Sequence, residues 1–237
     1  MPVTFPVVQA RRQRRFVAAF NPLGITGLAA WYDATRGVTA TAGEVDTWAD
    51  QSGNGRDLSA TLTTRPITGT RTQNGKNVID FDGSNDLLDA SSAFTQGTSD
   101  TVFVVCLNDD GADSTTQTVY NSDNGAAAEC RLNKMNTNVW RATSGASLDG
   151  GIPDTAAHLL VGVYNGTTGS SLRLDGTELA TGSLGTNSSS AAPRVGATGA
   201  GGNFWDGWVA EILHYDNVLT AANILRVENY LTRKWGL

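Results

Sequence analysis

The amino-acid sequence predicts an all-β protein, a two-sheet antiparallel β-sandwich with one C-terminal helix and an extended N-terminal arm. Short apolar segments recur between stretches of Gly, Asn, Asp and Ser, and no repeat has a fixed period. The 237 residues include 27 glycines but only 17% charged residues, as is typical of turn-rich β proteins. This length suits one sandwich, so we expect an arm at residues 1–24 and a single domain at residues 25–237.

Six apolar segments have the length of a strand. They are LAAWY (28–32), VIDF (78–81), TVFVVCL (101–107), HLLVGVY (158–164), SLRL (171–174) and WVAEILHY (208–215). The dipeptides Asn165-Gly166 and Asp175-Gly176 follow the fourth and fifth segments, and such dipeptides adopt the positive φ angles that tight hairpins need. We therefore expect an antiparallel meander in this region.

One helix is predicted at the end of the sequence. Thr220 can cap its first turn and Gly236 can stop it. Ile224, Val227 and Leu231 form an apolar stripe, which we expect to pack on the edge of the sandwich.

The two cysteines, Cys106 and Cys130, are too few for a multi-bridge framework and form no Cys-x-x-Cys motif. Cys106 lies in an apolar segment, which favours a buried thiol, although one bridge to Cys130 is left open. No segment reaches the ~18 apolar residues of a membrane span, so no membrane is expected among the partners.

Five segments, in order along residues 27–237, resemble one known family. They read GLAAWYDA (27–34), VDTWADQSGNGRDL (45–58), VIDFDGSNDLL (78–88), SLRLDGTELATG (171–182) and DGWVAEILHYDNVLTAANILRVENYLTRKWGL (206–237). The chain resembles laminin G-like, concanavalin A-like jelly-roll domains, of the type found in bacteriophage virion proteins and bacterial surface proteins. The resemblance implies a jelly roll whose first and last strands pair near each other.

The case for an enzyme rests on Glu44, Asp46, Trp48 and Asp50, which alternate and are predicted to share one face of a strand. Glycoside hydrolysis needs two carboxyl groups, but Trp48 interrupts this set and Asp50 opens the turn DQSGNG. No other catalytic set is found. We therefore expect a chain that is not an enzyme, with glycan cleavage as the less favoured alternative.

Calcium is the one cofactor for which the sequence offers ligands, and the resemblance implies it, since laminin G-like domains often hold one calcium ion. Two loops supply the oxygen atoms that calcium prefers: Asp82, Asn85 and Asp86 in one, and Asp109, Asp110 and Asp113 in the other. The favoured alternative is that these side chains form Asx turns and that no cofactor is bound.

A carbohydrate site needs an exposed aromatic ring beside polar groups. The sequence offers Asn138, Trp140, Arg141 and Trp205 as candidates. Burial of Trp140 in the core is the competing interpretation, because large aromatic residues dominate sandwich cores.

The N-terminal arm is the basic part of the chain. Residues 1–24 hold four arginines and no acidic residue. Residues 25–237 hold 13 basic and 23 acidic residues, a charge of −10, and the net charge of the whole chain is −6. This acidic body argues against nucleic acid as a partner. The arm could dock on an acidic partner surface through its arginines and the aromatic side chains that flank them, namely Phe5, Arg11, Arg12, Arg14, Arg15, Phe16 and Phe20.

Together these observations predict a non-enzymatic bacteriophage virion protein, such as a capsid decoration, head-fibre or tail-associated subunit. The arm would bind other virion subunits in a homo-oligomer or larger assembly, and the domain would face outward and bind host or environmental glycans. The alternative is an extracellular carbohydrate-binding adhesin of a bacterial surface.

Overall fold

The computed structural model describes Met1, residues 20–122 and residues 130–237. In these residues the chain forms β-strands and one α-helix, α1 (Ala221–Trp235). The strands are β1 (Leu28–Asp33), β2 (Val38–Thr41), β3 (Glu44–Trp48), β4 (Leu58–Ser59), β5 (Ile67–Gln73), β6 (Lys76–Asp82), β7 (Leu88–Ala90), β8 (Asp100–Asn108), β9 (Gln117–Asn121), β10 (Arg131–Lys134), β11 (Trp140–Ser144), β12 (Ala146–Gly150), β13 (Ala157–Tyr164), β14 (Ser170–Leu174), β15 (Thr177–Gly182), β16 (Arg194–Val195) and β17 (Asp206–Tyr215). They pair antiparallel, so the prediction of an all-β antiparallel protein with a C-terminal helix is confirmed.

Three long strands, β8, β13 and β17, form the centre of the sheet, and almost all of their residues are buried. Continuous apolar segments of this kind are expected where both faces of a strand are covered. β17 pairs with β8 on one side and with β6 and then β1 on the other. The pairing of β1 with β17 is the neighbourhood of first and last strands that the family resemblance implies.

The strands follow two runs that are joined to each other. One run contains β1, β6, β17, β8, β13, β14 and β15, and the other contains β2, β3, β4, β7, β16, β9, β10, β11 and β12. β5 pairs with both β3 and β6 and so links the runs by hydrogen bonds. At the opposite edge Gly150 of β12 lies against Leu179 of β15, where a Cβ on the glycine would be 2.7 Å from the leucine Cβ. The strands therefore form one nearly closed sheet. This finding corrects the prediction of two clearly separate sheets.

The predicted meander over β13, β14 and β15 is confirmed. Asp175 and Gly176 have φ angles of 48° and 79°, the left-handed values that a two-residue turn of the I′ type needs. The five residues 165–169 link β13 to β14, so this connection is longer than a two-residue hairpin.

Helix α1 begins and ends where the sequence predicts. The Thr220 hydroxyl accepts a hydrogen bond from the backbone of Asn223, and Gly236 closes the helix in the left-handed conformation with a φ of 71°. Val227 and Leu231 are buried, whereas Ile224 is only half-buried because it borders a surface groove.

A fully buried carboxylate on β17 holds α1 and β1 on the sheet. Glu211 Oε1 accepts hydrogen bonds from Trp31 Nε1 of β1 and from the Tyr230 hydroxyl of α1, both at 2.8 Å. Its Oε2 accepts from Trp235 Nε1 and lies beside Lys234 Nζ, both at 2.7 Å. Burial raises the pKa of Glu211, and the nearby Lys234 ammonium opposes that shift.

A β-bulge places this carboxylate. The pairing of β17 with β8 shifts register between Val209 and Glu211, so Ala210 is the extra residue. The bulge re-aims the following side chain toward β1 and α1. Lys234 Nζ also lies 2.6 Å from Asp33 Oδ2, so one ammonium bridges two buried carboxylates.

The residues just before β1 pack on the domain. The ring of Phe20 lies 5.2 Å from that of Tyr230, and the Tyr215 hydroxyl donates to the Pro22 carbonyl at 3.3 Å. Pro22 itself is buried within a short 3₁₀ turn. The division into residues 1–24 and 25–237 stays a prediction, with residues 20–24 in contact with the domain.

Replacement of Glu211 by glutamine is expected to destabilise the domain strongly. The amide keeps one acceptor but turns the other into a donor that faces Trp235 Nε1 and the Lys234 ammonium, so we expect a loss of about 3 kcal/mol in the free energy of unfolding. Urea denaturation measures this value. Glu178→Gln is the matched control, because its side chain is 49% exposed; equal effects of the two substitutions would contradict this role of Glu211.

Candidate functional site

The tryptophans predicted to bind sugar lie in the core. Trp140 and Trp205 have no exposed surface, and their ring centroids are 6.3 Å apart. Asn138 is exposed, and Arg141 forms two hydrogen bonds of 2.6 Å with Asp149. Because both indole rings face the interior, only Asn138 and Arg141 of this set reach the surface, and a sugar site at these residues stays a prediction.

The alternating carboxylates of β3 do not share a face. The pairing of β2 with β3 shifts at Asp46, and this bulge reverses the alternation, so that Glu44 is exposed while Trp48 is buried. Arg65 binds Asp46 at 2.6 Å, and Asp50 accepts hydrogen bonds from the backbone N–H of Trp31 on β1 and from that of Ser52 in its own turn. The prediction of one carboxylate face on this strand is wrong.

The first calcium candidate uses its oxygens to shape a turn. Asp82 Oδ1 accepts from the backbone N–H groups of Ser84 and Asn85, and Asp86 Oδ2 accepts from that of Asp82 at 3.0 Å. The Asn85 amide donates to the Thr63 carbonyl. These contacts are Asx turns, the alternative that the sequence analysis favoured for this loop.

The second candidate loop is occupied by cations and amides. Asp109 binds Arg71, Asp113 binds the buried Lys134, and Asp110 accepts from the Gln117 amide. Calcium at either loop stays a prediction. The two loops nevertheless lie near each other, because Asp206 pairs with Asp82 and its carbonyl accepts a hydrogen bond of 3.0 Å from the Asp109 backbone. Burial, followed by the nearby carboxylates of Asp110 and Asp109, raises the pKa of Asp206.

A third set of side chains, which the sequence analysis did not select, surrounds a surface pocket of about 290 Å³. The pocket is lined by an aromatic ring, an amide, hydroxyl groups and two carboxylates, namely Phe94, Thr95, Gln96, Thr98, Ser99, Asp100 and Asp216. We call it the Phe94 pocket. Its lining comes from the segment before β8 and the first residue after β17, which are adjacent because these two strands pair.

A guanidinium group and an imidazole ring fix the orientation of Phe94. The Arg56 guanidinium lies 4.3 Å from the centroid of the Phe94 ring, and the His214 imidazole meets that ring edge-on at 4.9 Å. Arg56 is itself held by the Ala29 carbonyl. The aromatic wall of the pocket is thus preorganised.

A buried chain of hydrogen bonds runs beneath the Phe94 pocket. Gln96 Oε1 accepts from the Tyr120 hydroxyl at 3.2 Å, and this hydroxyl lies 2.7 Å from His214 Nδ1. His214 Nε2 lies 2.9 Å from Asp100 Oδ1, and Asp100 Oδ2 accepts from the Gly97 backbone at 2.6 Å. The pocket floor is therefore tied to the centre of the sheet.

The same buried region contains the candidate metal ligands. Among the described residues, Asp100, Cys130 and His214 are the one group of three His, Cys, Asp or Glu whose ligand atoms all lie within 4.8 Å of one another. Cys106 and Cys130 are both free thiols, so the bridge left open by the sequence is not formed. Burial raises the pKa of the Cys130 thiol, and the Asp100 carboxylate adds to the shift.

A larger groove of about 410 Å³ separates α1 from β14 and β15. Its lining combines apolar helix residues, including the exposed Leu225, with Arg173. Glu228 binds the Arg173 guanidinium at 2.8 Å, so this charge is compensated. No aromatic side chain lines this groove, which makes it a poorer candidate for stacking on a sugar ring.

The predicted assembly arm lies almost entirely outside the described residues. This applies to Phe5, Arg11, Arg12, Arg14, Arg15 and Phe16. Phe20 is described, and it packs between Tyr230 and Arg226 of α1. No helix in the described part of the chain has the length and apolar character needed to span a membrane.

The acidic loop gives a pH-dependent prediction. Burial, followed by the Asp82 carboxylate, raises the pKa of Asp86 to about 6. The folded state then binds a proton more tightly than the unfolded state, whose pKa is ~3.9, so stability falls as the pH rises from about 4 to about 6. Asp86→Asn keeps the acceptor for the Asp82 N–H and should add about 1–3 kcal/mol to the unfolding free energy above pH 6 but little below pH 4.

Thermal and urea unfolding from pH 3.5 to 8 measure this difference, and parallel pH profiles for the two proteins would contradict it. The same pair tests calcium. A calcium ion at Asp86 would stabilise the carboxylate, so added CaCl₂ should raise the Tm of the native chain and not that of Asp86→Asn.

Comparison with known proteins finds solved structures of similar fold but shows no family. No family model matches the chain, and no curated protein matches it. Among solved structures, a sialidase from Trypanosoma rangeli in complex with sialic acid is 13% identical with a TM-score of 0.62, covering 90% of this chain and 34% of that chain. Domain 4 of AbnA, a GH43 extracellular arabinanase from Geobacillus stearothermophilus in complex with arabinotriose, is 13% identical with a TM-score of 0.56, covering 85% and 98%. The ligand-binding domain of botulinum neurotoxin serotype D in complex with N-acetylneuraminic acid is 12% identical with a TM-score of 0.59, covering 86% and 50%.

These structures are β-sandwich or barrel domains of carbohydrate-binding proteins, and the chain spans about a third of the length of the sialidases. The expectation that the chain is not an enzyme is wrong, because the first solved structures that the chain matches are sialidases, which cleave glycans. At this identity the likeness establishes the shared fold.

Proposed function

We propose that this chain is a glycan-binding domain and that it holds a sugar in the Phe94 pocket. The observation that carries the proposal is the lining of that pocket, where one fixed aromatic ring stands among an amide, hydroxyl groups and two carboxylates. The fold supports it, since domains of this shape in the arabinanase and the neurotoxin were solved with arabinotriose and N-acetylneuraminic acid. The pairing of β1 with β17 supports the finer interpretation as a jelly roll of the concanavalin A-like kind.

The chemistry of the pocket fits a single sugar residue. Its volume of about 290 Å³ lies just below the ~300–1,000 Å³ of small-molecule sites. An aromatic ring can pack against the apolar face of a pyranose or furanose, while the hydroxyl groups of Thr95, Thr98 and Ser99 can exchange hydrogen bonds with its hydroxyls.

The charges of the pocket favour a neutral sugar over an acidic one. Asp100 and Asp216 line it, and no Lys or Arg does. Arg56 stands behind the Phe94 ring and is held by a backbone carbonyl. A sialic acid carboxylate would meet the exposed Asp216 carboxylate there, so we propose a neutral pentose or hexose residue as the ligand.

Phe94→Ala is expected to weaken binding of a neutral oligosaccharide at least tenfold, since it removes the stacking surface, with arabinotriose as the probe in calorimetry or NMR titration. Phe204→Ala is the matched control, because Phe204 is also half-buried and lies outside the pocket. Equal losses in the two variants, or no binding by the native chain to a panel of neutral glycans, would refute the proposed site. Sugar release in the same samples would extend the proposal from binding to hydrolysis.

The choice between neutral and acidic sugars has its own test. The native chain should bind arabinotriose more tightly than N-acetylneuraminic acid, and Asp216→Asn should narrow that preference, because it removes the exposed carboxylate that repels the acid. A native preference for N-acetylneuraminic acid would contradict the charge assignment while leaving the pocket as a glycan site.

We also propose that the domain is displayed on a larger assembly, a bacteriophage virion, with a bacterial surface as the alternative. The support for this is the sequence resemblance and the basic, aromatic composition of residues 1–24. Because Phe20 and Pro22 pack on the domain, the deletion that tests the arm is that of residues 2–19.

Deletion of residues 2–19 should leave the Tm unchanged and convert an oligomer into a monomer, as measured by light scattering after size-exclusion chromatography. The reason is that the removed residues carry all four arginines of the arm but none of the described core. An unchanged mass for the shortened chain would contradict the anchoring role.

A further inference from the structure

We propose that Asp100, Cys130 and His214 form a buried site for a zinc-class transition metal ion. The three residues come from the start of β8, the residue before β10 and the end of β17. All three are buried, and their ligand atoms lie within 4.8 Å of one another. The inference follows from the positions of the protons in the hydrogen bonds around His214.

The orientation of the Gln96 amide is fixed by its own donors. Gln96 Nε2 donates to the carbonyls of Phe94 at 3.4 Å and Ala191 at 3.2 Å, so Oε1 must be the atom that faces Tyr120. An amide oxygen only accepts, and the Tyr120 hydroxyl therefore gives its single proton to Gln96. The same hydroxyl oxygen lies 2.7 Å from His214 Nδ1, so that nitrogen must carry a proton and donate it.

This assignment leaves an unusual pair on the other side of the ring. A neutral imidazole protonated at Nδ1 has a bare Nε2, which here lies 2.9 Å from Asp100 Oδ1. Two atoms that both present lone pairs repel each other at this distance, unless a proton or a metal ion is bound between them or beside them. A second proton on the imidazole is one solution, and a metal ion bound by both atoms is the other.

Cys130 favours the metal ion. A proton shared by His214 and Asp100 leaves the thiol with the Tyr164 hydroxyl as its hydrogen-bond partner, whereas a metal ion would also use the thiol, which lies in the same ligand group, as its third ligand. A buried thiol next to a carboxylate is a poor place for a thiolate, and only a bound cation makes the deprotonated form favourable there. Asp100 and Cys130 as anions, with neutral His214, would balance the charge of a divalent ion.

The backbone at Cys130 is a second, independent observation. Its φ angle is 48°, a left-handed value that non-glycine residues other than Asn and Asp seldom adopt. Such strain persists where the side chain is needed at a particular place. This conformation brings the thiol to the Asp100 carboxylate and the Tyr164 hydroxyl.

The ligand set and its surroundings fit zinc better than calcium or magnesium. One thiolate, one imidazole and one carboxylate are ligands of a borderline-soft ion, while calcium and magnesium prefer oxygen alone. A metal-bound histidine is usually oriented by a hydrogen bond from its other ring nitrogen. Here His214 Nδ1–H donates to the Tyr120 hydroxyl, which in turn donates to Gln96. Three protein ligands leave one tetrahedral position free, and Asp100 also lines the Phe94 pocket.

The experiment titrates the full chain, after chelator treatment, with Co²⁺ and with Zn²⁺. We expect one Co²⁺ per chain with intense d–d bands of a four-coordinate ion and a thiolate-to-cobalt charge-transfer band, all displaced by Zn²⁺, and a Tm that rises with Zn²⁺. Cys130→Ser should lose the charge-transfer band and the zinc-dependent rise in Tm. Cys106→Ser is the matched control and should keep both, because Cys106 is an equally buried free thiol outside the ligand group.

The native chain alone can overturn the proposal, so the test does not depend on the variants folding. Absence of the charge-transfer band together with a Tm indifferent to Zn²⁺ would show that a proton, and no metal, joins His214 to Asp100. Weak cobalt absorption without a sulfur band would place the ion on surface carboxylates and would equally refute this site.

Discussion

The Glu211 carboxylate is the contact on which the arrangement of this domain depends. It lies in the interior, where an uncompensated charge is not tolerated, and its oxygens are matched by donors from Trp31 on β1 and from α1. The first strand, the last strand and the helix therefore have one relative position in which the charge is satisfied. Apolar packing alone would allow the helix to slide or rotate on the sheet, and the carboxylate removes that freedom.

Local features of the fold could be predicted from the sequence, and long-range ones could not. The caps of α1 at Thr220 and Gly236 and the Asp175-Gly176 turn depend on residues next to each other, and each lies where expected. The single extra residues at Ala210 and Asp46 reverse which side chains point inward, and a strict alternation cannot anticipate them. The nearly closed sheet likewise results from β5 pairing with β3 as well as with its hairpin partner β6, and no local pattern encodes the contact with β3.

The Phe94 pocket does not follow from the positions of the tryptophans in the sequence. Trp140 and Trp205 lie in the core, as befits large aromatic rings, while the half-buried Phe94 stands in the segment FTQGTSD. That segment has the composition of a polar pocket, but the partners Arg56 and Asp216 lie 38 residues before and 122 residues after Phe94 in the sequence. His214 and Asp100 are also far apart in the sequence, and the pairing of β17 with β8 brings them together beneath the pocket.

The position of β17 also bears on how the domain is made. It is the last strand along the chain, yet it is the strand on which β1, β6 and β8 all depend for hydrogen bonds. During synthesis, the earlier strands must wait without their central partner until this segment leaves the ribosome. Such long-range pairing slows folding and leaves apolar strand edges unpaired in the interval. Efficient production of the domain should thus depend on a chaperone that shields the nascent β8 until β17 has been synthesised.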